Sequence, residues 1–232
     1  MQHRKQMLQS FLDLIFPRIC AGCQQPLQLN EEHLCTDCRF DLPKTNSHIE
    51  PDRKLINKFA GKVYLEHSLG YLKFVKGGKV QKIMHEIKYA GNQELGEMLG
   101  RMYGAELRDK GYSERFDLVL PVPLHKKRLI IRGYNQSDCL AKGIADSLGI
   151  EWRDDILKRG IETQSQISKS RFERYANMQD VFFVDKNEGL KNRKIVLVDD
   201  TLTTGATLES CVLALNDVGV KRVSIIAMAT TE

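Results

Sequence analysis

Residues 194–207, KIVLVDDTLTTGAT, decide the fold of this 232-residue chain. Ile195 to Val198 is an uninterrupted run of β-branched and aliphatic residues, the pattern of a parallel strand buried on both faces. The strand is expected to end at two adjacent acids, Asp199 and Asp200. A Thr/Gly loop, 201–205, follows, and then an apolar-periodic segment that reads as a helix over about 206–218. Loop amides and a helix N-terminus can hold a phosphate. The carboxylates can accept hydrogen bonds from ribose hydroxyls or face a hydrated Mg²⁺. Together they describe a site for a phosphorylated sugar. The alternative is a tight strand-to-helix turn with a surface acid pair, which gives the hydroxyl-rich loop no packing role.

The pattern extends outward from this stretch. A strand is expected at 116–120, ending in Pro121-Val122-Pro123, and another at 222–228. Two short strand-like runs lie within 63–74. Segments 80–89, 94–107 and 137–148 have helical spacing, the last stopped by Gly149. Strands alternating with helices imply an α/β fold with a mostly parallel sheet and right-handed crossovers. Ligands in such sheets sit at the carboxyl ends of the strands, where Asp199, Asp200 and the 121–123 turn all fall.

Composition is that of an ordinary globular protein, 42% hydrophobic and 28% charged. The net charge of +5 allows anionic ligands without demanding them. No apolar run approaches the ~20 residues of a membrane span. Residues 6–16 have the spacing of an amphipathic helix, but Pro17 and Arg18 stand where a signal cleavage site would need small residues. The expected location is cytoplasmic, without membrane insertion.

Four of the six cysteines form the pattern C-x2-C-x11-C-x2-C: Cys20, Cys23, Cys35 and Cys38. Two such knuckles complete a tetrahedral four-thiolate site for structural Zn²⁺. The filled ligand set leaves no open position for hydrolysis. A module of this kind can bind nucleic acid or protein, or brace the fold. Cys139 and Cys211 lie on expected helices and read as buried thiols. The domain reading is an N-terminal helix and zinc unit over 1–45, a linker over 46–60 and a larger domain over 61–232.

VLVDDTLTTGAT resembles the phosphoribosyl pyrophosphate (PRPP) loop of type I phosphoribosyltransferases. The resemblance implies that Asp199 and Asp200 contact the ribose hydroxyls and that Thr203, Thr204, Gly205, Ala206 and Thr207 wrap the 5′-phosphate. Thr201 stands where the commonest pattern has an aliphatic residue. Thr207 is a reasonable helix-start residue. Residues 117–137, DLVLPVPLHKKRLIIRGYNQS, together with Ile87-Lys88-Tyr89, the stretch 157–184 and the four-cysteine unit, are similar to the ComF family. That similarity implies a Rossmann-like type I phosphoribosyltransferase fold with an N-terminal zinc finger. It also implies Mg²⁺ with PRPP, and a link to natural competence, the uptake of transforming single-stranded DNA.

Lys126, Lys127, Arg128 and Arg132 form an acid-free basic turn after a strand end. Arg128 and Arg132 are expected to contact pyrophosphate oxygens, where guanidinium binds bidentately. His125 beside them is a candidate acid or base. The polar loop over 158–181, with Arg159, Thr163, Gln164, Gln166, Arg171 and Asn177, is the candidate lid. Lys and Arg outnumber Asp and Glu there by 5 to 2 across 158–174. Cations interleaved with Tyr134, Phe172 and Tyr175 also suit single-stranded nucleic acid. Two function classes therefore stand: a phosphoribosyl-transferring enzyme with an unnamed acceptor, or a non-catalytic nucleic-acid-binding or adaptor protein whose pocket is a sensor or relic. In the adaptor form the zinc unit would dock a competence helicase.

Overall fold

The computed structural model describes residues 17–160, 181–185 and 189–231. Its centre is a five-stranded, all-parallel sheet. The strands are β1 (Ser68–Lys73), β2 (Leu118–Pro121), β3 (Glu151–Trp152), β6 (Lys194–Leu202) and β7 (Arg222–Thr230), in the order β1-β7-β6-β2-β3. A separate antiparallel ribbon pairs β4 (Leu157–Gly160) with β5 (Val181–Val184). The helices are α1 (Thr36–Phe40), α2 (Arg53–Asn57), α3 (Lys79–Tyr89), α4 (Gln93–Asp109), α5 (Lys126–Arg132), α6 (Gln136–Leu148) and α7 (Ala206–Asp217).

Alternation along β6 shows why its sequence is apolar throughout. Val196 and Val198 join a core with Leu95, Leu99 and Tyr103 of α4 and Leu140 and Ile144 of α6. Ile195 and Leu197 enter a second core with Leu208, Val212 and Leu215 of α7. Both faces are covered, as parallel sheets require. Cys139 and Cys211 are buried in these helices.

Four expectations are corrected. The 194–207 strand does not stop at Val198 but runs through both acids to Leu202. Its neighbour β7 continues alongside, pairing Asp199 with Ala227, Thr201 with Ala229 and Leu202 with Thr230. The runs within 63–74 give one strand, β1, because only Ser68–Lys73 lies against β7. The basic stretch after β2 is a helix, α5, rather than a turn. It contributes nothing to the core, so no apolar face announced it. Helix α7 begins at Ala206 with Gly205 as its N-cap, so Thr207 lies inside the first turn. The expected helix over 6–16 and most of the candidate lid lie outside the described residues, and the ends of that loop pair as β4 and β5.

Helices α4 and α6 cross at close range because glycine stands at Gly96, Gly100 and Gly104, every fourth position of α4, and at Gly143 of α6. A Cβ on Gly143 would lie 2.1 Å from the Glu97 carbonyl oxygen, and one on Gly100 would lie 2.3 Å from that of Leu140. Both neighbours are backbone and cannot swing aside. Gly143→Ala should therefore destabilise the chain by about 2–3 kcal/mol in urea denaturation. Gly160→Ala, with open space around its Cβ, should stay within about 0.5 kcal/mol.

Candidate phosphoribosyl pocket and metal centre

Strand β2 leaves the sheet at Pro121, paired with Val198. From Asp199 onward, β6 has lost that neighbour. The N-terminus of α6 comes into this gap. Asn135 fixes it there: its Oδ1 accepts from Ser137 N at 3.2 Å, and its Nδ2 donates to the Val122 carbonyl at 3.0 Å. Ser137 Oγ then donates to Asp199 Oδ1 at 3.1 Å, and Gln136 Nε2 donates to Asp200 Oδ2 at 2.5 Å. A helix N-terminus is a favourable place for two carboxylates, since its amides carry partial positive charge.

The acids are not equivalent. Lys88, near the end of α3, puts Nζ 3.1 Å from Asp200 Oδ1, with both side chains largely buried. The same ammonium donates to Thr201 Oγ1 at 3.1 Å. The departure from an aliphatic residue at Thr201 thus provides a ligand for Lys88. Asp199 makes no ion pair among the described residues. Its Oδ1 accepts from Ser137 and from the Asp200 amide (2.9 Å), while Oδ2 has no protein donor among the described residues. Burial, and then the charge of Asp200, push the Asp199 carboxyl up to about 7.

The loop after β6 is already shaped. Gly205 has φ +85°, and a Cβ there would meet the Phe59 ring at 3.0 Å. Glycine is required on both counts. Gly205 has no side chain to cap α7, and Thr204 Oγ1 accepts from Ala206 N at 3.4 Å, so the amides that follow in the first turn face the loop as an anion site. Lys58 Nζ donates to the Thr203 carbonyl at 2.5 Å. Lys58 and Phe59 come from the stretch read as a linker, so α2 and the residues after it act as a buttress for this loop. Thr203 and Thr204 are exposed, and Thr207 is partly so.

The basic residues divide. Arg132 donates from Nη1 to Gln136 Oε1 at 2.7 Å and lies over the Tyr89 ring, its Cζ 5.1 Å from the centroid. It therefore supports Asp200 through Gln136. Lys126, Lys127 and Arg128 are exposed and make no ion pair among the described residues. His125 caps α5, its Nδ1 accepting from Lys127 N at 3.1 Å.

The second centre is the cysteine unit. The sulfurs of Cys20, Cys23, Cys35 and Cys38 all lie within 4.8 Å of one another. Cys23 and Cys35 Sγ are 3.7 Å apart. Four ~2.3 Å zinc–sulfur bonds in a tetrahedron set sulfurs ~3.8 Å apart, so the spacing fits the ion. Cys35 N donates to Cys20 Sγ at 3.3 Å and Cys38 N to Cys35 Sγ at 3.4 Å, bonds that favour thiolates. A Cβ on Gly22 would sit 2.9 Å from Cys38 Sγ, so the first knuckle closes only around glycine. Cys20, Leu34, Cys38 and Leu42 belong to the same buried core as α3 and α4. His33, in a left-handed conformation at φ 58°, lies 3.5 Å from Glu94 of α4.

The phosphoribosyl transferase domain matches residues 139–231, which carry α6 beyond its first three residues, the acid pair and the loop. Competence protein F of Haemophilus influenzae is 28% identical over 216 residues, covering 91% of this chain and 90% of that protein. DNA utilization protein YhgH of Escherichia coli (strain K12) is 28% identical over 211 residues, covering 84% and 89%. Competence protein ComFC of Bacillus subtilis is 23% identical over 203 residues, covering 87% and 79%. Along nearly its whole length the chain is similar to the ComF family. Its fold is of phosphoribosyltransferase type, and its four clustered cysteines form a group able to hold a metal ion. Among the described residues, no helix is long and apolar enough to cross a membrane.

Sequence reasoning singles out the acid pair, the loop and the cysteines. It does not find the side chains that hold the acids, Lys88, Gln136 and Ser137. A polar Asn-Gln-Ser triplet opening a helix is the available signal.

Two outcomes follow. An acid whose folded pKa is raised binds more protons in the folded state, so its cost to stability grows as pH rises from about 4 and is complete above about 7. Asp199→Asn, which keeps an acceptor for Ser137, should raise the melting temperature by a few degrees at pH 8 and by less at pH 5.5, in calorimetric scans. Removing a metal held by the cysteines with a chelator, or replacing a ligand by Cys38→Ser, should lower the melting temperature of the whole domain, because the unit shares its core. A second, unaffected transition for the domain would contradict this.

Proposed function

We propose that this ComF-family protein binds PRPP at the C-terminal end of β6 and transfers the phosphoribosyl group to an acceptor. The observation that carries the reading is one continuous segment. It presents two carboxylates held by a helix N-terminus, then a helix start with glycine at its N-cap behind a preformed Thr/Gly loop. In this assignment Thr203 to Thr207 hold the 5′-phosphate. Asp199, with Oδ2 unengaged, and Asp200 take the ribose hydroxyls. Arg128 and Arg132, on the helix that follows β2, bind pyrophosphate oxygens. Mg²⁺, when bound with PRPP, supplies neutralising charge to the pyrophosphate. The chain itself positions the sugar and leaves the anomeric carbon open to attack as pyrophosphate departs.

The biological setting proposed is natural competence in the cytoplasm, at the stage of handling transforming single-stranded DNA. The names of the relatives support it. One feature favours direct DNA contact. Helix α5 carries Lys126, Lys127 and Arg128 in the open, beside the half-exposed Leu129 and the exposed Ile130 and Ile131. The second reading, a binding or adaptor protein with a silent pocket, rests on this surface alone, with a helicase as the candidate partner of the zinc unit.

Titration calorimetry with PRPP and Mg²⁺ tests the pocket. Asp200→Ala and Lys88→Met should each weaken binding by at least about tenfold, the loss of one buried charge-assisted contact. Unchanged affinity in both would remove PRPP from this site. Single-stranded DNA affinity should fall steeply with salt, and charge reversal at Lys126, Lys127 and Arg128 should flatten that slope. Pyrophosphate release in a screen of acceptors separates the enzyme from the sensor.

A further inference from the structure

Strands β6 and β7 end together, and the ladder between them closes at Leu202 and Thr230. The Leu202 carbonyl is still engaged, accepting from Thr231 N at 3.1 Å and from Thr231 Oγ1 at 3.2 Å. The carbonyls of Thr203 and Thr231 lie beyond the ladder and have no backbone partner among the described residues. Lys58 takes both. Its Nζ donates to the Thr203 carbonyl at 2.5 Å and to the Thr231 carbonyl at 3.4 Å. An ammonium offers three donors and no acceptor, which suits a point where two such carbonyls converge. Lys58 stands 145 positions before Thr203, at the C-terminal end of α2. It lies outside 139–231, the stretch that matches the phosphoribosyl transferase domain.

Holding the Thr203 carbonyl has a directional effect. Across a planar trans peptide, each N–H points opposite to the carbonyl of the residue before it. The Thr203 carbonyl is turned to Lys58, so the Thr204 N–H is turned away from it. The next residue, Gly205, is fixed by the neighbouring ring, since Phe59 lies 3.0 Å from where its Cβ would be. Lys58 and Phe59 thus set successive residues of the loop.

The same segment meets a second requirement. Glu209 is an acid in the first turn of α7, where a carboxylate opposes a phosphate bound at the helix start. Lys62 Nζ lies 3.3 Å from Glu209 Oε2 and offsets that charge. Lys58 pairs with no carboxylate among the described residues, so its own charge stays beside the loop.

We infer, on the phosphoribosyl reading of this loop, that Lys58 is a positioning residue for the 5′-phosphate. It sets the Thr203–Thr204 peptide so that the Thr204 N–H is ready to donate before the ligand arrives. An amide already oriented loses no freedom on binding. Lys62 has the lesser role of masking Glu209.

The probe is ribose 5-phosphate, titrated into the full metal-loaded chain and followed by amide correlation spectra. Lys58→Met should shift the Thr204 amide before any ligand is added. It should also weaken ribose 5-phosphate about tenfold, the worth of one charge-assisted hydrogen bond. Lys58→Arg, which restores a cationic donor, should recover the affinity to within about threefold. Lys62→Met removes the same charge from the same segment. It should leave the Thr204 amide in place and weaken binding by about threefold or less, the effect of one exposed ion pair. An unmoved Thr204 amide in Lys58→Met, or equal losses in Lys58→Met and Lys62→Met, overturns the positioning role and leaves the phosphoribosyl reading intact. Absence of ribose 5-phosphate binding by the unaltered chain overturns the phosphoribosyl reading, and the positioning role with it.

Discussion

Strands β6 and β7 stay paired for two turns of the pleat after β2 has left the sheet. That overrun is the constraint on which the rest depends. It carries Asp199 and Asp200 beyond the packed layers while keeping their backbone hydrogen-bonded on one side. The vacated side is then free for the start of α6. A shorter β7 would leave the acids on a loose turn, and a longer β2 would shut α6 out. Ala227 and Ala229 occupy the positions opposite Asp199 and Thr201, and their small side chains leave room around the charged groups.

A cost accompanies this arrangement. Two carboxylates on adjacent residues in a poorly hydrated place repel each other, and the fold answers the two differently. Asp200 is neutralised by Lys88 and tethered by Gln136, which Arg132 holds in turn. Among the described residues Asp199 has hydroxyl and amide donors only, and its carboxyl is pushed toward the neutral form. Stability is given up at the residue that has an oxygen to offer. Groups destabilised in this manner cluster at functional sites.

The alternation of strand and helix, the acid pair, its loop and the thiolate cluster were all legible in the sequence, because each is local. Ile195 to Val198 announces a buried strand whatever surrounds it, and paired CxxC knuckles have few uses. Features set by a distant partner were not legible. The end of β6 depends on β7, and Lys88 meets Asp200 only after α3 has folded onto the sheet. Lys58 and Phe59 sat in a polar stretch with no periodicity to mark them. Helix α5 lacks a core-facing side, so the period that identifies helices had nothing to act on. The four-residue spacing of Gly96, Gly100 and Gly104 was visible, but its meaning required Gly143 on the facing helix.

Helix α3 has a consequence of a mechanical kind. Its first residue, Lys79, is joined to Asp41 at the edge of the cysteine unit, at 2.5 Å. Its last turn carries Lys88, which grips Asp200. Eleven residues of α-helix make a stiff rod about 16 Å long. Pivoting such a rod by 10° at one end sweeps the other through about 3 Å, as far as the whole Lys88–Asp200 contact. The rod thus ties the edge of the cysteine unit, at one end, to the charge that holds the acid pair, at the other.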